Sequence, residues 1–172
     1  MTFPGPLIAK AEALLDAYRR AGLKIATAES CTGGLIAGCL TEIPGASDVV
    51  ERGFLTYSNE AKHDLLGVPM ALIRAHGAVS AEVAEAMAAG ALERSAADAV
   101  VSATGIAGPG GATADKPVGL VYLGAARRGR APVHQRPLHQ RPLHQRHVFA
   151  GDRGAVRLAA VEAALDLLRR VL

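Results

Sequence analysis

Apolar positions change their period several times along the chain, and each change marks an element. Ile8, Ala11, Leu15 and Tyr18 recur at helical spacing, with Pro4 and Pro6 at the entry and Gly22 placed to stop the helix. Ile25 to Glu29 is short and partly β-branched and predicts a strand; Ser30 to Gly34 predicts a turn, and Leu35 to Thr41 a helix broken by Pro44-Gly45. Val49 to Ser58 alternates and predicts a second strand. Asn59 is expected to cap a short helix through Leu66, ended by Gly67, and Ser80 to cap a longer one from Ala81 to about Arg94. Ala99 to Thr104 is a run of small, nearly all apolar residues that predicts a strand buried on both faces. A glycine loop from Gly105 to Gly111 follows, then a fourth strand from Pro117 to Ala126.

The last pattern, Gly154 to Leu172, is helical and apolar over two adjoining stripes. Val156, Ala159, Ala160, Ala163, Ala164 and Leu167 form one, and Leu158, Val161, Leu165, Leu168 and Leu172 the other. So wide a surface implies deep burial or a partner helix. Strands interleaved with helices at this spacing predict an α/β fold, a single three-layer α/β/α sandwich with a mixed sheet, over residues 1–172. One segment, 134–146, breaks the pattern: Pro137-Leu138-His139-Gln140-Arg141 is repeated as Pro142-Leu143-His144-Gln145-Arg146, with His134-Gln135-Arg136 before both. A five-residue step puts successive histidines on opposite faces of a strand, and the prolines exclude a regular helix. An exposed edge strand or loop fits the repeat better than a metal site.

Composition narrows the picture. Half of the 172 residues are hydrophobic, enough for one sizeable core, but only 3% are aromatic. Few aromatic faces argue against single-stranded nucleic-acid binding, which stacks bases on them. The net charge of +3 is modest, and most of the excess falls between Arg127 and Arg157, which suits a local anionic ligand better than a polyanion. Cys31 and Cys39 are read as lying on one helix, ~12 Å apart along its axis, too far for a disulfide. A reducing cytoplasm is expected. The first residues lack a basic region and meet Lys10, Glu12 and Asp16 early, so no signal peptide is read there, and no stretch is apolar enough for a membrane span.

Four short segments can carry chemistry. In Glu29-Ser30-Cys31-Thr32-Gly33-Gly34 a strand delivers Ser30 to a glycine-flanked turn opening a helix, where unpaired N–H groups can stabilise an oxyanion. An ordinary helix cap explains the same residues, and Cys31 is a rival nucleophile. His63 and His76 lack an accompanying acid pattern, so Lys62 is the alternative base. Bringing a lysine from about 10.4 to near 7.4 takes about 4 kcal/mol of differential interaction, within reach of a dry pocket; most lysines on short helices are simply solvated. Thr104 ends the buried strand where ligands of open α/β sheets collect. The glycines after it form neither a P-loop nor a dinucleotide fingerprint, and tight-turn chemistry alone can account for them. Arg153 and Arg157 share a face near the start of the last helix, where the dipole disfavours cations; a phosphate held there would explain them.

Taken together these segments resemble the CinA C-terminal domain family. Thr27 to Gly34, Arg52 to Lys62, His76-Gly77-Ala78-Val79-Ser80, Thr104 to Pro109, Lys116-Pro117-Val118-Gly119 and Gly151-Asp152-Arg153 carry the likeness in order along nearly the whole chain. Stand-alone members of that family convert nicotinamide mononucleotide to nicotinate mononucleotide and ammonia. The resemblance implies a serine–lysine mechanism with no metal and no cofactor. Ser30 then attacks the carboxamide and Lys62 moves the proton; Thr104 assists the pair, and Tyr57 lies near the reacting group. Gly105 and the N–H groups of Cys31, Thr32, Gly33 and Gly34 contact substrate, Arg153 holds the phosphate, and Arg157 is second choice. The implied partners are a small nucleotide substrate and a second copy in a homodimer, with no nucleic acid or membrane. A related hydrolase of another amide and a non-catalytic nucleotide-binding or interaction module stay open as alternatives. The repeat at 134–146 departs from the family pattern, and the separate activity of a larger N-terminal domain found in some relatives is not assigned to this sequence.

Overall fold

The computed structural model of the chain describes residues 3–129 and 143–172. The elements run α1 (Gly5–Ala21), β1 (Ile25–Glu29), α2 (Leu35–Thr41), β2 (Val50–Leu55), α3 (Asn59–Leu66), α4 (Met70–His76), α5 (Ala81–Glu93), β3 (Ala99–Gly105), β4 (Leu120–Arg127), β5 (Leu143–Val148) and α6 (Arg153–Val171). The five strands form one sheet in the order β2-β1-β3-β4-β5. β1 is parallel to both β2 and β3, whereas β4 is antiparallel to β3 and β5, so the sheet is mixed.

The layers follow from strand alternation. Ile25, Ala99, Val101 and Ala103 point into the core that α1, α2 and α6 cover. Ala26, Ala28 and Val100 point the other way, into a smaller core closed by α3, α4 and α5. α6 contributes eight buried residues, from Val156 to Val171, and packs on β3, β4, α1 and α2. Deep burial within the chain thus explains its apolar width.

Several boundaries differ from expectation, each for a local reason. The second strand stops at Leu55, because Thr56 to Ser58 turn the chain into α3, whose cap is Ser58 rather than Asn59: the Ser58 hydroxyl accepts from the Ala61 N–H at 2.9 Å. The fourth strand starts at Leu120, after a turn through Pro117 to Gly119. Helix α4, with Ile73 as its one buried residue, has too little apolar pattern to be read from sequence. Ser80 caps α5 as expected and Asp152 caps α6, accepting from the N–H groups of Val83 and Ala155. Cys31 lies in the turn and Cys39 in α2; both are free and buried. The end of the five-residue repeat, Leu143 to Arg146, lies in β5, an edge strand of alternating exposure. His134, His139 and the rest of the repeat lie outside the described residues. No helix among the described residues is long and apolar enough to cross a membrane.

Candidate active site

The sheet register brings the carboxyl ends of β1, β2 and β3 together, because Glu29 sits opposite both Leu55 and Ala103. The next residue of each strand, Ser30, Thr56 and Thr104, therefore emerges at the same edge. Two hydrogen bonds extend the ladder past the strands: Ser30 N–H donates to the Ala103 carbonyl at 2.9 Å, and Thr56 N–H to the Glu29 carbonyl at 2.8 Å. Connections from β1 and β2 leave to opposite faces of the sheet, so the edge between β1 and β3 is a topological switch point, the usual ligand position in open α/β sheets.

Lys62 reaches this edge from α3. Its side chain is buried, and Nζ lies 3.0 Å from Ser30 Oγ. Its other partners are the carbonyl oxygens of Thr56 at 2.8 Å, Tyr57 at 3.3 Å and Ser58 at 3.4 Å. No carboxylate is among them. Burial is the largest influence and pushes the Lys62 amine below its ordinary range, against weaker opposing effects of Cys31 and Glu60. Here Nζ donates to Ser30 Oγ as well as to the carbonyls; once deprotonated, the amine keeps two N–H donors and gains a lone pair that can accept the serine proton.

A cleft of about 190 Å³ opens over the pair, lined among others by Tyr57, Val79, Thr104, Gly105 and Arg153. Tyr57 is exposed at the mouth, and its hydroxyl accepts from Arg153 Nη2 at 3.2 Å. Arg153 Nη1 also donates to the Gly108 carbonyl at 2.9 Å. The Thr104 hydroxyl donates to the Ala78 carbonyl at 2.8 Å, leaving its oxygen to accept from a ligand. Gly105 is fixed by packing: a Cβ there would lie 2.7 Å from the Leu120 carbonyl oxygen and 2.8 Å from a Val121 methyl.

Four expected contacts are not available to a ligand. Gly33 N–H donates to the Ser30 carbonyl at 3.1 Å, and Gly34 N–H to Glu29 Oε2 at 3.1 Å, so neither is free for an oxyanion. Arg157 turns away from the cleft and donates to the carbonyls of Cys31 at 3.1 Å and Thr32 at 2.8 Å, which replaces the expected phosphate role. Thr32 is fully buried and does not line the cleft. Cys31 does line it, but burial pushes its thiol up to about 11, so it is a poor nucleophile at neutral pH.

Glu29 is the residue that sequence reasoning missed. Almost fully buried, its carboxylate accepts from the N–H groups of Gly34, Ile36 and Ala37 at 3.1, 3.0 and 2.9 Å and from the Thr27 hydroxyl at 3.0 Å. It caps α2 from the preceding strand, five residues before the first of these N–H groups. A buried acid next to a small-residue turn was the only available signal. No group of three or more His, Cys, Asp or Glu side chains stands ready for a metal ion among the described residues.

A family model described as the CinA C-terminal domain matches residues 8–172. The chain belongs to that family. This CinA C-terminal domain is 48% identical over 161 residues to a protein of Caldicellulosiruptor saccharolyticus named as competence-damage inducible, covering 94% of this chain and 36% of that protein. A CinA-like protein of Geobacter sulfurreducens is 48% identical over 153 residues, or 89% of this chain and 34% of its own length. The domain thus spans about a third of the length of these curated relatives. The crystal structure of the competence/damage inducible protein CihA from Agrobacterium tumefaciens superposes with a TM-score of 0.91 at 46% identity, covering 99% of this chain and 98% of that one.

Proposed function

We propose that this CinA C-terminal domain is a serine amidohydrolase that converts nicotinamide mononucleotide to nicotinate mononucleotide and ammonia. The observation that carries the reading is the buried Lys62 amine, surrounded by carbonyls and 3.0 Å from Ser30 Oγ. In the proposed sequence Lys62 takes the Ser30 proton as Oγ bonds to the carboxamide carbon. The carbonyl oxygen becomes an oxyanion beside the Ser30 turn. Its collapse breaks the C–N bond, and Lys62 returns the proton to the departing nitrogen, giving ammonia and a Ser30 ester. Lys62 then deprotonates water as it attacks the ester, and returns that proton to Ser30 Oγ as the acid leaves and ionises to the carboxylate. In this sequence the Thr104 oxygen, whose hydroxyl donates to the Ala78 carbonyl, accepts from the amide N–H₂ before it leaves.

The substrate class is supported by size and charge. A cleft of about 190 Å³ is below the roughly 300–1,000 Å³ of sites that enclose a whole drug-sized ligand. It takes the pyridine carboxamide and leaves ribose and phosphate at the rim, where Arg153 and Tyr57 stand. The test is ammonia release from nicotinamide mononucleotide, nicotinamide riboside and nicotinamide by the parent and Arg153→Ala. The expected result is preference for the phosphorylated substrate in the parent. Arg153→Ala is expected to raise KM for that substrate by about tenfold or more, the loss of one charge-assisted contact, and to leave the riboside unchanged. Equal rates on all three in the parent would contradict the nucleotide reading.

A further inference from the structure

Arg157 is a half-buried cation in the first turns of α6, where the helix dipole disfavours positive charge. Among the described residues no carboxylate pairs with it. Its guanidinium instead spans two successive carbonyls of the nucleophile turn, those of Cys31 and Thr32. Gly33 makes room for this contact: its φ is +61°, and a Cβ there would meet Arg157 Nη2 at 2.9 Å. A side chain at position 33 would thus collide with the very group that grips the turn.

The turn's remaining backbone groups can be accounted for one by one. Glu29 takes the N–H groups of Gly34, Ile36 and Ala37. The Ser30 N–H is held by Ala103, that of Gly33 by the Ser30 carbonyl, and that of Leu35 by the Thr32 carbonyl. Of the N–H groups from Ser30 to Ala37, those of Cys31 and Thr32 donate to no oxygen; both lie against the Cys31 sulfur. Thr32 is fully buried, whereas Cys31 lines the cleft, directly after the nucleophile. The residue after the nucleophile is where a strand–turn–helix hydrolase presents its oxyanion donor.

We infer that Arg157 is a positioning residue for the oxyanion site, holding the Cys31 and Thr32 carbonyls and with them the turn whose Cys31 N–H serves as oxyanion donor. The inference rests on the proposed role of Ser30. Glu29 and Arg157 act on opposite sides of the turn, the acid on its N–H groups and the cation on its carbonyls. Two contacts from one planar guanidinium fix both the position and the tilt of the turn, which a single lysine ammonium cannot do. The role is distinct from phosphate binding, because both carbonyl contacts are to protein and the side chain lies outside the cleft lining.

The test uses a fluorophosphonate, which reports the nucleophile and its oxyanion site without any assumption about the natural substrate. Ser30 Oγ bonds to phosphorus, fluoride leaves, and the serine proton passes to Lys62. Labelling rates at Ser30, located by mass spectrometry, are compared for the parent, Arg157→Gln and Arg157→Lys. Arg157→Gln is expected to slow labelling about tenfold or more, short of the roughly 10²–10³-fold that removing an oxyanion donor costs. Arg157→Lys should recover part of the loss, and the pH profile of labelling should stay unchanged in both. On nicotinamide mononucleotide, Arg157→Gln should lower kcat and leave KM in place. Labelling at the parental rate in folded Arg157→Gln, or a raised KM with unchanged kcat, would overturn the inference. A parent that labels at Ser30 but releases no ammonia would refute the substrate and leave the labelling comparison to decide Arg157. A parent that does not label at Ser30 would overturn both the nucleophile and the role built on it.

Discussion

In the proposed reaction one side chain, Lys62, carries every proton transfer. Burial lowers its affinity for a proton, while the Thr56 and Tyr57 carbonyls hold the amine against Ser30. A base must be unprotonated to act, so kcat/KM is expected to rise with pH through the depressed Lys62 ionisation and then level off. Lys62→Met should lower turnover by about 10²-fold or more, the scale of a general base, while the protein still folds. Stability carries the same signature. The unfolded chain keeps this proton up to about 10.5, whereas the folded domain releases it earlier, so stability should rise with pH across that window. Melting temperature measured against pH in the parent and in Lys62→Met checks the sign: the rise belongs to the parent alone, and equal slopes would contradict a depressed lysine. At this scale the sequence was informative about identity and poor about direction. Ser30, Lys62, Thr104, Tyr57 and Arg153 do share one cleft. Arg157 does not, because helical spacing places a side chain on a face without saying which neighbour it meets.

At the scale of elements, the nucleophile turn depends on a cap that no local motif announces. A cap usually sits within the first turn it serves, but Glu29 reaches α2 from the end of β1. Removing it leaves three N–H groups and a buried hydroxyl without their acceptor, at about 1–3 kcal/mol for each group left dry. With partial relief by water, Glu29→Ala is expected to lose about 3 kcal/mol, or about 6–12 °C in Tm for a domain of this size. Thermal unfolding followed by circular dichroism measures it, and a change of less than about 2 °C would contradict the capping role. Long periodic elements such as α1, α5 and α6 were legible because burial repeats along them. Short ones were less so: α4 buries one residue, and β2 ends where Thr56 must turn toward Lys62. β5 was readable only as an edge, since its half-buried and exposed positions alternate without a strongly apolar face.

At the scale of the whole molecule, residues 30, 57, 62, 104 and 153 are brought together by one topological fact. β1 lies between β2 and β3 with both parallel to it, so three carboxyl ends meet at one edge and α6 returns its first turn to the same place. The three-layer arrangement was legible from strands interleaved with helices, but the register Leu55–Glu29–Ala103 was not, because it is set by pairing between distant segments. That register makes a serine–lysine pair out of residues 32 positions apart. The central claim is that this pair, and not the neighbouring thiol or a metal, performs amide hydrolysis. Its most direct test is ammonia release from nicotinamide mononucleotide by the parent, Ser30→Ala and Cys31→Ala, each with a chelator present. The account predicts release that survives the chelator and Cys31→Ala and disappears in Ser30→Ala. Release that persists in folded Ser30→Ala, or that is lost with the chelator or with Cys31→Ala, would contradict it.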